Sequence, residues 1–262
     1  MELFSLFGGE SQAGEVFSRA VESIIGHRLA GVIATAMDRR LPQLRAGLER
    51  HGIPVVVMDN TLLDGGSQVA SDDFMGGGLA VRHLLGLGHR RITCVSPDPR
   101  TTYARFRHAG YEAEMRKAGL EPSLVVIDSD FSDLNPEFCR AARRVFDERP
   151  DAVFCASDSI ATRLAGLAIQ SGLKIPGDLS VVGFANLDYC MMTVPPLTTV
   201  GQPFYEMGRR SFGLLMEHIN GRTEPMRIKL PVTLEVRGST GARGCAPTIW
   251  RAPAFSNMGE LK

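Results

Sequence analysis

DDFMGGGLAVRHLLGLGHRRITCV, residues 72 to 95, reads as a helix running into a buried strand. Asp72 and Asp73 stand where carboxylates satisfy the orphan amides and the dipole of a helix start. The triplet Gly76-Gly77-Gly78 allows close packing at that start, and the helix is expected over Gly77 to Leu87. Ile92 to Val95 then forms a short strand. An acidic pair can in principle do catalytic work, but here its position favours capping. The glycines lack the Lys-Ser/Thr that would make a phosphate-cradling loop.

The same alternation continues outward in both directions. Short β-type runs fall at Leu3 to Phe7, Gly31 to Ala36, Ile53 to Met58, Leu124 to Ile127, Ala152 to Ala156 and Leu179 to Phe184. Helical periodicity fills the intervals at Glu15 to Ile25, Leu41 to Arg50, Tyr103 to Ala118, Pro136 to Phe146, Ser159 to Gln170 and Phe204 to Ile219. Strand and helix in strict alternation predict a doubly wound α/β fold with parallel sheets. After Phe184 the pattern changes. Val194 to Val200 is extended and marked by two prolines, one helix follows, and Ile228 to Val236 reads as a final strand. This looks like a crossover between subdomains. From Gly241 to Lys262 the chain is aperiodic and reads as a loose tail.

Bulk composition narrows the function. The 262 residues exceed the usual size of one core, which favours two domains. Lys+Arg and Asp+Glu are both 29, so no net field draws the chain onto nucleic acid or anionic lipid. No apolar stretch is long enough for a membrane span, and MELFSLFGG lacks the basic start of a secretory signal. Cys94, Cys139, Cys155, Cys190 and Cys245 are widely spaced without a C-x-x-C pair, as expected of reduced thiols in a cytoplasmic protein.

The six histidines show no metal-ligand spacing, and no nucleophile, base and oxyanion site assemble from the sequence. Neither a metal nor a cofactor is expected. The positions suited to binding lie just beyond the carboxyl ends of strands, where ligands sit in open α/β sheets. Arg107 offers a rigid fork able to hold two hydroxyls or a carboxylate, against the plainer reading of a solvated helix arginine. Asp158 opens a helix and is expected to be its cap, leaving Ser157 freer to face a ligand. Phe131 can stack on a ring or pack in the core.

Several strings resemble the LacI/GalR family of transcriptional regulators, in that family's order. They are His27 to Ile33, Val57-Met58-Asp59-Asn60, HLLGLGHRRI at 83 to 92, Arg107-His108-Ala109-Gly110-Tyr111, Arg149 to Asp158, Val181-Val182-Gly183-Phe184, Pro195 to Val200 and Leu230 to Arg237. The resemblance covers most of residues 15 to 240. It implies two similar subdomains of the type I periplasmic-binding-protein kind, closing on a sugar or nucleoside-like effector. The first subdomain is expected at 1–96 with 198–229 and the second at 97–197 with 230–240, with the tail at 241–262. By the same resemblance Arg107 is the effector-binding arginine, Ser157 the polar position before Asp158, Phe131 a stacking aromatic, Thr101 and Gln202 further pocket positions, and Phe204 a pocket aromatic. Where the family usually has Asp-Asp after Gly-Phe, this chain has Ala185-Asn186, which leaves Asn186 as a substitute for the missing carboxylate. In the family's arrangement Ala30 to Ile33 is the third strand of the first subdomain, and only Leu3 to Phe7 precedes it. One strand–helix unit is therefore expected to be missing, which would leave a gap inside a sheet of order 2-1-3-4-5.

The functional expectation is the effector-binding core of a regulator, cytoplasmic and homodimeric, with operator DNA reached only through a head domain that this chain does not contain. The alternative is a solute-binding protein serving sugar transport. That reading shares the fold but calls for an export signal and does not explain the LGHRRI and PPLTT strings. A sugar-modifying enzyme would need a catalytic constellation that the sequence does not present.

Overall fold

The computed structural model describes residues 13–35, 41–59, 65–98, 102–127 and 136–243. Its first elements are α1 (Ala13–Gly26), β1 (Val32–Ala34), α2 (Leu41–Glu49), β2 (Val55–Met58) and β3 (Ser67–Ser71). There follow α3 (Asp73–Gly86), β4 (Ile92–Ser96), α4 (Thr102–Lys117), β5 (Ser123–Val126), α5 (Pro136–Asp147), β6 (Ala152–Cys155), α6 (Asp158–Gln170) and β7 (Ser180–Ala185). A 3-10 turn at Asp188–Met191 leads to β8 (Thr198–Gly201), α7 (Phe204–Ile219), β9 (Arg227–Leu230) and β10 (Thr233–Glu235). The expected α/β alternation with parallel sheets is what forms. The expected strand at Leu3 to Phe7 lies outside the described residues.

The chain divides into two compact units, Met1–Ser71 with Phe204–Leu230 and Asp72–Pro203 with Pro231–Lys262. In the first, the sheet order is β1-β2-β3-β9, all parallel. Side chains on a strand alternate between faces, and β2 shows the result. Val55 and Val57 pack with Ile24, Leu41, Leu44 and Leu48 from α1 and α2, while Val56 packs with Met207, Leu214 and Leu215 of α7. Among the described residues β1 ends this sheet.

The second unit holds a six-stranded sheet of order β10-β8-β7-β6-β4-β5, in which only β10 runs antiparallel. Ala152 and Phe154 of β6 face a core with Ala80, Val81 and Leu84 of α3 and Tyr111 and Met115 of α4. Val153 and Cys155 face the opposite core, with Phe138, Val145 and Phe146 of α5 and Ile160, Leu164 and Leu167 of α6. Both faces of the sheet are thus covered, which is why its strands read as continuous apolar runs. Helices α3 and α4 cross at glycines. A Cβ on Gly77 would lie 2.1 Å from the carbonyl oxygen of Arg107, and one on Gly110 would lie 2.0 Å from that of Phe74. No side chain fits at either position.

Several boundaries differ from expectation. Residues 72–96 and 198–203 belong to the second unit, not the first, because β4 pairs with β5 and β6, and β8 pairs with β7. The single strand expected over Ile228 to Val236 breaks at Pro231, which has no N–H to continue a ladder. Its first half, β9, pairs with β3 in one unit, and its second half, β10, pairs with β8 in the other. Strand β3 was not foreseen. Its sequence, SQVAS, is largely polar and gains its strand character from β2 and β9 on either side. The expected tail starts later than Gly241. The Gly241 carbonyl lies 3.0 Å from His89 Nε2, and Arg243 N–H donates to the Leu87 carbonyl at 3.0 Å. Residues 244–262, with Cys245, lie outside the described set. Cys94, Cys155 and Cys190 are buried free thiols and Cys139 is a half-buried one. No helix among the described residues is long and apolar enough to cross a membrane.

Candidate functional site

Parallel strands end on a common edge, so β4, β6, β7 and β8 deliver their carboxyl-terminal residues to one side of the second unit's sheet. Ser96, the segment Ala156-Ser157-Asp158, the pair Ala185-Asn186 and Gln202 all lie there. Arg107 reaches the same edge from α4. It is 5% exposed, far from the solvated helix arginine that its sequence also allowed. Nη1 donates to the Ala156 carbonyl at 2.7 Å, and Nη2 donates to Gln202 Oε1 at 3.2 Å. Nε lies 3.3 Å from Asp73 Oδ2. The guanidinium carbon sits 3.7 Å above the centre of the Phe184 ring and 4.6 Å from that of Tyr103. A cation over an aromatic face, clamped at three of its edges, has little rotamer freedom left to lose on binding. The Nε contact with Asp73 is an ion pair without hydrogen-bond geometry, and Nη1 and Nη2 each keep a second N–H outside these contacts.

The cap of α6 is Ser157 rather than the expected Asp158. Ser157 caps α6, its Oγ accepting from Ile160 N–H at 3.3 Å in the extended conformation typical of a cap. Asp158 is fully buried, accepting from Leu187 N–H at 2.9 Å through Oδ2 and from Thr199 Oγ1 at 2.5 Å through Oδ1. It locks the β7 and β8 ends together. Beside it the Cys190 thiol is pushed up to about 12, first by burial and then by the carboxylate. A similar one-residue choice occurs at α3, where Asp72 is the cap, accepting from Met75 N–H at 3.0 Å. Asp73, read from sequence as a second capping carboxylate, pairs with Arg107 instead.

Asn186 is exposed with φ +61°, next to Ala185 at φ +131°. Non-glycine residues enter that half of the map only under local constraint. The Asn186 side-chain oxygen accepts from Arg237 Nη2 at 2.6 Å, and Arg237 Nη1 donates to the Leu197 carbonyl at 2.8 Å. Phe204 opens α7 in the first unit and is exposed. Thr101 and Phe131 lie outside the described residues. Sequence reasoning passed over Ser96, Tyr103, Phe184 and Arg237, and read Asp73 only as a helix-start carboxylate. Ser96 is buried at the end of β4, and its Oγ finds no hydrogen-bond partner among the described residues. No group of three His, Cys, Asp or Glu side chains able to hold a metal ion occurs among the described residues. The edge therefore offers a rigid cationic fork, an amide and hydroxyls, a set suited to hydroxyl-rich ligands.

Residues 81–240 match the family described as the periplasmic binding protein-like domain. The chain belongs to the LacI/GalR family of transcriptional regulators. It is 32% identical over 227 residues to the ribose operon repressor of Escherichia coli (strain K12), covering 85% of this chain and 68% of that protein. A LacI family transcriptional regulator from Enterococcus faecium with bound ribose superposes with a TM-score of 0.77 at 28% identity, covering 86% of this chain and 85% of that one. The lac repressor dimer bound to operator and an anti-inducer superposes with a TM-score of 0.75 at 26% identity, covering 87% of this chain and 79% of that one.

Proposed function

We propose that this chain is the effector-binding core of a transcriptional repressor. In this reading a small hydroxyl-rich effector, with a pentose as first candidate, is held by Arg107 at the carboxyl edge of the second unit's sheet. The observation that carries the reading is the posture of the guanidinium, which is buried, stacked on Phe184 and clamped by Ala156 and Gln202, with N–H groups to spare. Ser157, Asn186 and Gln202 supply further polar atoms. Asp158 acts by fixing the strand ends, and the family resemblance offers Thr101, Phe131 and Phe204 as further contact candidates. The ribose-bound relative supports a sugar, and a nucleoside, which carries the same ribose hydroxyls, is the second chemistry to test.

Effector binding biases the populations of a regulator that meets operator DNA through a head domain and works in the cytoplasm as a homodimer. The run Leu187, Tyr189, Met191, Met192 and Val194 supports the dimer, because Met192 is 78% and Val194 84% exposed. Sedimentation velocity should return twice the chain mass, and a monomer at micromolar concentration would remove that part of the reading. The repressor relatives favour regulation over solute transport, and the output is binding rather than turnover.

Calorimetric titration of D-ribose and a small panel of pentoses and nucleosides tests the effector site. Arg107→Ala should weaken the best ligand by about thirtyfold, the equivalent of about 2 kcal/mol for a lost charge-assisted contact. Equal affinity in the parent and the variant would move the site elsewhere.

A further inference from the structure

An arginine fork in a buried site is a receptor for carboxylates and phosphates as readily as for hydroxyls, since its geometry matches both. Which ligand it takes depends on whether its charge is already balanced. Asp73 lies at the first turn of α3 with its side chain fully buried, and its Oδ2 is 3.3 Å from Arg107 Nε. The two helices are held together at the Gly77 and Gly110 crossing, so this pairing is built into the packing of α3 on α4 rather than made by a swinging surface side chain. Asp158 adds a second buried carboxylate on the same edge, and Asp72 stands one residue from Asp73. Arg237, hydrogen-bonded to the exposed Asn186, is a cation of the same unit, and Arg163 acts electrostatically on Cys155 at the end of β6.

We infer that Asp73 sets the charge selectivity of the Arg107 site, so that the site takes uncharged hydroxyl ligands and rejects carboxylates and phosphates. The inference rests on the placement of the effector at Arg107 given above. An anion approaching the remaining Nη N–H groups is attracted by the guanidinium and repelled from farther off by Asp73, so the buried carboxylate offsets part of that attraction. It still loses its hydration on entering a site with few compensating charges. A hydroxyl needs only the N–H groups, and these stay in place whether or not the charge is neutralised. The buried carboxylate thus keeps the fork rigid and lowers its appeal to anions at the same time.

The test compares the parent protein with Asp73→Asn, which keeps the shape and an acceptor oxygen but removes the charge, and with Asp72→Asn, which removes a neighbouring charge while keeping a good capping residue. Calorimetry with D-ribose, ribose 5-phosphate and ribonate measures selectivity directly. Thermal melts in inorganic phosphate, against chloride at matched ionic strength, measure the site's response to anions without any sugar. The parent should bind ribose at least tenfold more tightly than either anion and gain nothing from phosphate beyond chloride. Asp73→Asn should gain a phosphate-dependent rise in Tm and narrow the sugar-to-anion ratio by tenfold or more, whereas Asp72→Asn should behave like the parent. Parent protein that takes ribose 5-phosphate or ribonate as well as ribose would overturn the inference, as would an unchanged anion response in Asp73→Asn. If no sugar binds the parent, the effector reading fails, and the phosphate melts still decide the role of Asp73. If Asp73→Asn does not fold, the parent's own ribose preference and phosphate response decide it.

Discussion

The second unit seals a six-stranded sheet between helices on both faces, whereas among the described residues the first unit's sheet has four strands and ends in β1, where Ile33 is 37% exposed. The first unit's α7 also leaves Tyr205, Phe212 and Met216 exposed along one side, while Met207, Ser211, Leu214 and Leu215 are buried on the other. The contrast shows how this protein divides its work. The buried Arg107 cluster needs a rigid frame, and it sits in the unit whose interior is closed and whose helices cross at glycine. Stability within one chain is not uniform, and the first unit, with the smaller sheet and the smaller core clusters, is the one expected to open first.

The largest effect should come from filling the helix crossing. Gly77→Ala or Gly110→Ala drives a Cβ onto a carbonyl oxygen that cannot move without separating α3 from α4, and each should cost about 3 kcal/mol in denaturant unfolding. In the first unit, Gly31→Ala meets the end of the Leu215 side chain at 2.7 Å, a group that can rotate aside, and should cost about 1 kcal/mol. Similar losses at the two sites would erase the proposed difference in rigidity.

A smaller effect should separate the units by pH. Burial lowers the pKa of His83, His89 and His108, all in the second unit, from the ordinary value of 6.5. At His89 this outweighs Asp151, and at His108 it outweighs Glu112. The folded state keeps these rings neutral while the unfolded chain takes up protons near 6.5, so their contribution is unchanged above that pH and becomes destabilising as pH falls below it. Melts recorded from pH 8 to pH 5 should show the second unit's transition moving down below pH 6.5. A transition that stays flat or rises through that range would contradict the burial of these rings.

Much of this arrangement was legible in the residues, and the parts that were not share a physical cause. The stretch from Asp72 to Val95 announces a capped helix entering a strand, and Arg107 falls in the next helix, so both fold class and the candidate anchor could be read from local pattern. Strand β3 escaped because Ser67, Gln68 and Ser71 carry no apolar alternation, and only the sheet around them makes them a strand. The break at Pro231 escaped because an extended run reads the same whether it belongs to one sheet or two. The choice of cap between Ser157 and Asp158, and that between Asp72 and Asp73, turn on a single residue of helix phase, which capping preferences do not resolve. The Asp73–Arg107 pair spans two helices, and such a contact leaves no trace in the spacing of either one.

Hydrogen exchange with and without saturating D-ribose tests the central claim most directly. Amides at 156–160, 185–187 and 199–202 should slow in the presence of ligand, while those at 90–92 and 151–152, on the opposite edge of the same sheet, should exchange unchanged. Protection that spares the first set and falls on the second, or on α2 alone, would contradict the placement of the effector at Arg107.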